Sequence, residues 1–262
     1  MDDTYVRTAA FIEFAVRRLT GESPSRTRIL DFGCGSGQMV AVFLRLGFDG
    51  YGCDMVAHWS QNPPVSEERL STISLVPYRL PFDESAFDIV VSSSVLEHAQ
   101  NKEDCFREIH RVLRPGGYAL HLYPAKWYLP GEPHIYVPLV NYLWPNCPRW
   151  WLGFWALIGI RNEFQQGKRW KEVLDLNHKY CGEGLSYWTN RQYRALSLEV
   201  FGNCSWPMHL CVEHSPRKLA LILRRLPFND LVAVLSREFR TSFMVQQKSI
   251  NGVQRTPASW CR

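Results

Sequence analysis

Arg28-Ile29-Leu30-Asp31-Phe32-Gly33-Cys34-Gly35-Ser36-Gly37 is the stretch that decides the fold. Its first half is an apolar strand ending on Asp31, and its second half puts glycine at every other position. Without a Cβ, Gly33, Gly35 and Gly37 can take positive φ and present their amides to a ligand with no side chain in the way. The loop therefore predicts a nucleotide-like ligand held by backbone. A dinucleotide fingerprint, Gly-x-Gly-x-x-Gly, would need its third glycine where Gln38 stands, so that register is excluded.

Reading outward, Gly50-Tyr51-Gly52-Cys53-Asp54 is a short second strand ending in a carboxylate, seventeen residues past Gly37. An acid there can accept both hydrogen bonds of a ribose diol, and Asp54 is the expected ribose ligand. Leu80-Pro81-Phe82-Asp83, Phe87-Asp88-Ile89-Val90-Val91, Val95-Leu96-Glu97-His98 and Arg111-Val112-Leu113-Arg114-Pro115-Gly116-Gly117 follow in order. Together with the glycine loop, these segments resemble the class I S-adenosylmethionine (SAM) methyltransferases, in their small-molecule branch. The resemblance covers roughly residues 26 to 123. It implies SAM as cofactor, with Asp31, Gly33, Gly35 and Gly37 at the cofactor loop. It also implies an α/β fold with a doubly wound, mostly parallel seven-stranded sheet closed by a C-terminal antiparallel hairpin. Relatives usually carry an Asp four residues before the leucine of Leu-Pro-Phe, where this chain has Val76. The adenine is therefore expected on backbone near Arg79 and Leu80, with apolar contact from Met55 and the Pro81-Phe82 turn.

Hydrophobic periodicity agrees with alternating strands and helices. Phe87 to Ser92 suits a strand buried on both faces, while Phe106, Ile109 and Leu113 give a helix one apolar stripe. Pro115-Gly116-Gly117 is expected to stop that helix and start a strand over Tyr118 to Tyr123. Ala9, Ile12, Val16 and Leu19 mark a helix before the first strand that can cover the sheet or the cofactor cleft. Val40, Phe43 and Leu44 mark the helix whose N-terminus faces the ligand. This order predicts a parallel sheet with ligands at the carboxyl ends of its strands.

At 262 residues and 46% hydrophobic, the chain is read as a single domain over 1–262, with residues 124–185 as an insertion. Its net charge of +5 is mild and scattered, apart from Arg217-Lys218 and Arg224-Arg225 on an expected helix, so no nucleic-acid partner is implied. Eight cysteines without a CxxC pair read as buried free thiols of a reducing, cytoplasmic setting, and nothing shows zinc-ligand spacing, so no metal is expected. The N-terminus has no secretory pattern.

Residues 124 to about 185 are crowded with aromatics and prolines, among them Trp127, Tyr136, Trp144, Trp151 and Trp155. Methyltransferases of this class place acceptor-binding elements here, so the resemblance makes it a substrate lid. Trp150 to Ile160 is apolar for eleven residues, too short to cross a bilayer, which takes about 20. A buried lid helix, a greasy wall for a lipid or aromatic acceptor, and a membrane-surface or dimer contact all fit it.

Thr189 is the expected N-cap of a helix over Arg191 to Val200. The sheet is expected to close with two antiparallel strands, near Met208 to Val212 and near Ser242 to Gln247. Between them Lys218 to Arg225 and Asp230 to Arg237 read as helices, followed by a loose tail from Ser249 to Arg262.

The SAM methyl is already activated, so the protein must align a nucleophile and, for a hydroxyl acceptor, take its proton. His98, just after the fourth strand, and His134, in Gly-Glu-Pro-His-Ile-Tyr, are the expected bases, with His178 and Tyr180 as further candidates. The reading is a SAM-dependent methyltransferase acting on oxygen of a small-molecule or saccharide acceptor, lipid-linked saccharides included. N- or C-methylation of a secondary metabolite and a SAM-binding scaffold without turnover are the alternatives. Acceptor and oligomeric state are left open by the sequence.

Overall fold

The computed structural model describes residues 3–215 and 229–250. The main sheet follows the expected winding. It is built from β1 (Arg28–Phe32), β2 (Asp49–Asp54), β3 (Leu70–Thr72), then, past a small hairpin of β4 (Ser74–Leu75) and β5 (Tyr78–Arg79), β6 (Phe87–Ser93), β7 (Leu113–Pro124) and β8 (Thr241–Gln247). Its order is β3-β2-β1-β6-β7-β8, parallel except for the β7–β8 pair. The chain winds outward from β1 to β3 and then returns to lay β6 on the other side of β1. That reversal is the point where open α/β sheets leave a crevice at their carboxyl edge.

Both faces are covered. On one face α1 (Asp3–Thr20) and α2 (Gln38–Arg45) bury Ala9, Ile12, Val16, Met39, Val42 and Phe43 against Ile29, Ile89, Val91 and Leu120. On the other, α3 (Lys102–Val112) and α7 (Asn190–Phe201) pack Phe106, Ile109, Tyr193 and Leu196 onto Leu30, Val90 and Met244. Alternate residues of β1 and β6 thus serve opposite cores, as expected of strands buried on both faces.

The described residues contain a six-stranded sheet, where seven were expected. The stretch expected as the seventh strand is a helix, α8 (Met208–His214). Pro207 precedes it, and proline lacks the N–H that a ladder needs. Ser205 alone pairs with Val245 along the free edge of β8, and Met208 and Leu210 instead turn into the α1 side of the core. The Pro115-Gly116-Gly117 turn also sits differently: α3 ends at Val112, and the turn lies inside an irregular start of β7, where the register shifts between Phe87 and Ile89. Thr189 does cap α7, its hydroxyl accepting from the Gln192 N–H. A helix, α9 (Asn229–Phe239), covers the expected 230–237 segment. The basic pairs at 217–218 and 224–225, the helix expected at 218–225 and most of the tail lie outside the described residues.

Between β7 and α7 the chain forms α4 (Val140–Leu143), α5 (Arg149–Leu157), α6 (Trp170–Lys179) and a π turn over Tyr180–Gly184. These have a core of their own, with Ile135, Val137, Val140, Leu152, Cys181 and Tyr187 buried together. The apolar run is a helix buried on one side only: Leu152 and Ala156 point inward, while Trp150 is 71% and Phe154 49% exposed. None of the described helices is long and apolar enough to cross a membrane.

One buried cation ties this insertion to the sheet. Lys102 is 1% exposed, and its ammonium donates to the Ala99 and Ser186 carbonyls and the Ser186 hydroxyl at 2.6–2.7 Å. Burial lowers its pKa to about 8, so it is still mostly charged at neutral pH. Replacing it by methionine keeps the stem but strands those acceptors. Lys102→Met is expected to lose about 2–4 kcal/mol in denaturant unfolding, with hydrogen exchange rising first in the 180–188 segment.

Candidate active site

The glycine loop links β1 to α2 and folds back over β2. Gly33 and Cys34 both donate to the Cys53 carbonyl, at 2.8 and 3.1 Å, and Gly37 donates to the Cys34 carbonyl at 2.8 Å. Gly33, Gly35 and Gly37 all have positive φ (79°, 52° and 80°). They do different jobs. A Cβ on Gly33 would lie 2.4 Å from Val95 Cγ2, so the bare backbone lets the loop press against the turn after β6. A Cβ on Gly35 would meet nothing within 4 Å and would point into open space at the carboxyl edge.

Asp54 closes the loop. Its Oδ2 accepts from the Gly35 N–H at 2.8 Å and its Oδ1 from the Met55 N–H at 2.7 Å. Oδ1 also takes a long contact of 3.5 Å from the Val56 N–H, while Oδ2 keeps a further lone pair for a diol. Asp31 is 3% exposed at the end of β1, and burial, with the Asp54 charge adding to it, pushes its carboxyl up to about 7. Met55 lies exposed beside this rim. Along the same edge Thr72, Ser74, Arg79, Leu80, Pro81 and Phe82 line a cleft of about 290 Å³. The Leu80 backbone is already engaged, its N–H donating to Glu108 and its carbonyl accepting from Arg111. Val76 sits at the hairpin tip, 92% exposed.

His98 and His134 come together although thirty-six residues separate them. Their rings are 4.8 Å apart, edge to face, with Tyr180 about 6 Å from each. His98 leaves β6 on the 95–99 turn, and its Nδ1 donates to the Gly184 carbonyl at 2.6 Å. The His134 Nδ1 donates to Glu132 at 2.7 Å. Each Nε2 is thereby left with its lone pair. Burial, together with the neighbouring His134, lowers the His98 pKa, against the pull of Gly184. Burial would lower His134 too, but the Glu132 carboxylate outweighs it and raises the ring. His178 is exposed on α6, apart from this pair.

Two carboxylates that the sequence reading passed over complete the cluster. Glu132 is fully buried and accepts from the His134 N–H and ring, the Ile135 N–H and the Tyr187 hydroxyl. Glu97, 1% exposed, has no hydrogen-bond partner on another residue, and burial raises its carboxyl to about 7. Both stood in the motifs quoted for their histidines, Leu-Glu-His and Gly-Glu-Pro-His. His134 also lines an open cleft of about 400 Å³ with Ser93, Ser94, Tyr128, Thr8 and Phe11, so α1 roofs the carboxyl edge. Seven cysteines fall in the described residues, five of them buried and none in a disulfide.

Comparisons with known proteins agree with this layout. Two families, each described as a methyltransferase domain, match residues 30–121 and 76–175. The ubiquinone biosynthesis O-methyltransferase of Rattus norvegicus is 34% identical over 105 residues, 37% of this chain and 30% of that protein. An uncharacterized methyltransferase of Mycobacterium avium is 32% identical over 138 residues, 52% of this chain and 54% of that protein. The chain thus spans about a third to a half of the length of the curated relatives it matches. Among solved structures, a sarcosine dimethylglycine methyltransferase from Galdieria sulphuraria, itself described as putative, aligns at TM-score 0.51 and 15% identity, covering 93% of this chain and 86% of that one. The plantazolicin methyltransferase in complex with SAH aligns at 0.52 and 11%, covering 94% and 84%. These two share the fold.

Two measurements separate the roles of the loop residues. Gly33→Ala is expected to cost about 1–3 kcal/mol in thermal unfolding, through positive φ and the Val95 clash, whereas Gly35→Ala costs about 1 kcal/mol or less and instead weakens ligand binding. Between pH 4 and 7 the folded chain keeps a proton on Asp31 that the unfolded chain releases, so this group's contribution falls as pH rises through that window. Asp31→Asn should therefore raise the melting temperature at pH 8 by several degrees, at about 2–4 °C per kcal/mol, with the gain vanishing near pH 4.5. Parallel melting profiles across that range would refute the assignment.

Proposed function

Starting from a chain that belongs to the class I SAM-dependent methyltransferases, we propose that it binds SAM along the β1–β2 rim and transfers the methyl group to an oxygen of a small-molecule acceptor under the 124–185 insertion. The observation that carries the reading is the shared rim. The backbone loop of Gly33 to Gly37 and the His98–His134 pair both lie at the carboxyl edge where the sheet order reverses. When bound, SAM supplies an electrophilic methyl, so the chain's own residues have only to hold, align and deprotonate. Asp54 holds the ribose diol and Asp31 faces the cationic end, while the N–H groups of Gly33, Cys34, Gly35 and Gly37 are taken up by Cys53, Asp54 and the loop itself, which leaves the bare glycine surface as the loop's contact. The Pro81-Phe82 side and Arg79 flank the adenine, with Met55 over the rim. Because the Leu80 amide and carbonyl are taken by Glu108 and Arg111, Leu80 contributes apolar contact rather than backbone hydrogen bonds.

Oxygen is favoured over nitrogen or carbon because two imidazoles present bare Nε2 lone pairs at one place. A hydroxyl needs a proton acceptor, while a free amine needs none. The Glu132–His134 pair has the arrangement of a carboxylate orienting a general base. Relatives named for ubiquinone biosynthesis O-methylation favour the same element. The exposed apolar side of α5, with Trp150, Phe154 and Leu157, supports an acceptor with a lipid or aromatic portion, and the hydroxyls of Ser93, Ser94 and Tyr128 in an otherwise largely apolar cleft offer hydrogen bonds to a saccharide headgroup. Unpaired cysteines suit a reducing compartment such as the cytoplasm.

Calorimetry with SAM, S-adenosylhomocysteine and NAD tests the cofactor. Heat from the first two and none from NAD is expected, and the reverse overturns the reading. A methyl-transfer screen over phenols, sugar nucleotides and glycolipids then identifies the acceptor. With that acceptor, His98→Ala and His134→Ala are each expected to lower kcat by about 10²–10⁴-fold. Their affinity for S-adenosylhomocysteine should stay within a few fold of wild type. Full transfer by both variants would remove the base assignment.

A further inference from the structure

The structure assigns a divalent transition-metal site to Glu97, His98 and His134, for which we propose zinc or a similar first-row ion. One ligand atom from each of the three lies within 4.8 Å of the others. They arrive from two separate segments, the turn after β6 and the loop after β7, which is why a search for cysteine spacing along the chain does not find them.

Three features carry the inference. Both imidazoles have Nδ1 tied down, His98 to the Gly184 carbonyl at 2.6 Å and His134 to Glu132 at 2.7 Å. Metal-ligating histidines are oriented in this way, the second nitrogen donating to a carbonyl or carboxylate while the first points its lone pair at the ion. Next, Glu97 is 1% exposed, and neither of its oxygens has a hydrogen-bond partner on another residue. Its Oε1 instead faces His98 Nε2 at 4.0 Å. A buried carboxylate with nothing to donate to it needs a proton or a cation. Finally, the donor set itself is selective. Two imidazole nitrogens and one carboxylate suit zinc, iron, cobalt or nickel, and lack the many oxygens that calcium or magnesium require.

Bonds of about 2.0–2.2 Å to such an ion place donors about 3.0–3.5 Å apart, so the cluster must tighten by an ångström or so. The two rings, with side chains 34% and 32% exposed, have room to pivot about their Nδ1 contacts. Three protein ligands leave a position open, and His134 lines the acceptor cleft with Ser93 and Ser94. An ion there would bind an acceptor hydroxyl or a chelating diol directly. With it in place both Nε2 lone pairs are used, and the base role proposed above belongs to the metal-free protein. The inference concerns the same site but does not depend on methyl transfer, because metal uptake is read without SAM or acceptor.

The test uses the full chain, stripped with EDTA, dialysed and titrated with zinc chloride in a calorimeter, with S-adenosylhomocysteine titrated in the same samples. One zinc per chain at micromolar affinity or tighter is expected, and cobalt chloride should give visible absorption bands of a bound, non-aqueous ion. Glu97→Gln, His98→Ala and His134→Ala should each weaken zinc binding at least tenfold. Glu132→Gln, which alters the buried group that orients His134 and also meets Ile135 and Tyr187, should weaken it by about 10–100-fold. His110→Ala, which removes a ring on α3 that packs against Phe201 of α7, should change nothing. Failure of the wild type to take up stoichiometric zinc, or equal uptake by a His98→Ala/His134→Ala double variant, overturns the site. Zinc uptake without S-adenosylhomocysteine binding would keep the site and sink the methyltransferase reading.

Discussion

Everything functional in this molecule depends on the parallel pairing of β1 with β6. Ile29, Leu30 and Asp31 lie opposite Ile89, Val90 and Val91, so both strands end at the same height. The chain must leave each end through a turn, and the two turns therefore share one rim. Gly33 is where they touch: its missing Cβ lets the loop lie against Val95, three residues before His98. A side chain at that position would drive apart the backbone cradle and the imidazole pair. Strand register thus sets the spacing between the glycine loop and the turn that carries His98.

Three buried carboxylates along this rim show how environment, not residue type, sets chemistry. Glu132 accepts two backbone amides, a phenol and an imidazole, and despite full burial its carboxyl is held below the usual range, as burial is outweighed by the His134 contact and the amides. Asp31 and Glu97 are as deeply buried with no such set of donors, and both rise to about 7. The satisfied acid is structural and orienting. The other two lack such donors, so protonation relieves much of the cost of burying them. His121 offers the contrast on the histidine side. Fully buried between Ser92 and Gln246, it is lowered by burial to about 4, so it is a neutral core residue with no part in the site.

The sheet and the cofactor loop were legible in the sequence because they rest on local signals. Glycine at alternate positions, β-branched runs buried on both faces and a three-four helical stripe each report their own backbone. The edge of the sheet was less legible. Met208 to Val212 carries enough apolar character for a strand, and only Pro207, together with the burial of Met208 and Leu210 against α1, decides for a helix. The His98–His134 pair was legible as two residues but not as a pair, since nothing in either motif states that the 131–135 loop folds back over the 95–99 turn. Glu97 and Glu132 were overlooked for the same reason: the value of a carboxylate beside a histidine appears only once burial and partners are known.

What brings that loop back is the insertion's attachment rather than its own helices. The Ser186 N–H donates to the Glu97 carbonyl at 2.6 Å, Lys102 clamps the other side of Ser186, and the π turn supplies the Gly184 carbonyl that fixes His98. Tyr187, one residue further, reaches Glu132 and through it His134. Three residues between 184 and 187 therefore hold both imidazoles from the far end of the insertion. Any movement of the insertion that admits an acceptor must pass through these contacts. On the function proposed above, the contacts that attach the insertion are therefore the same ones that orient the two histidines toward an acceptor.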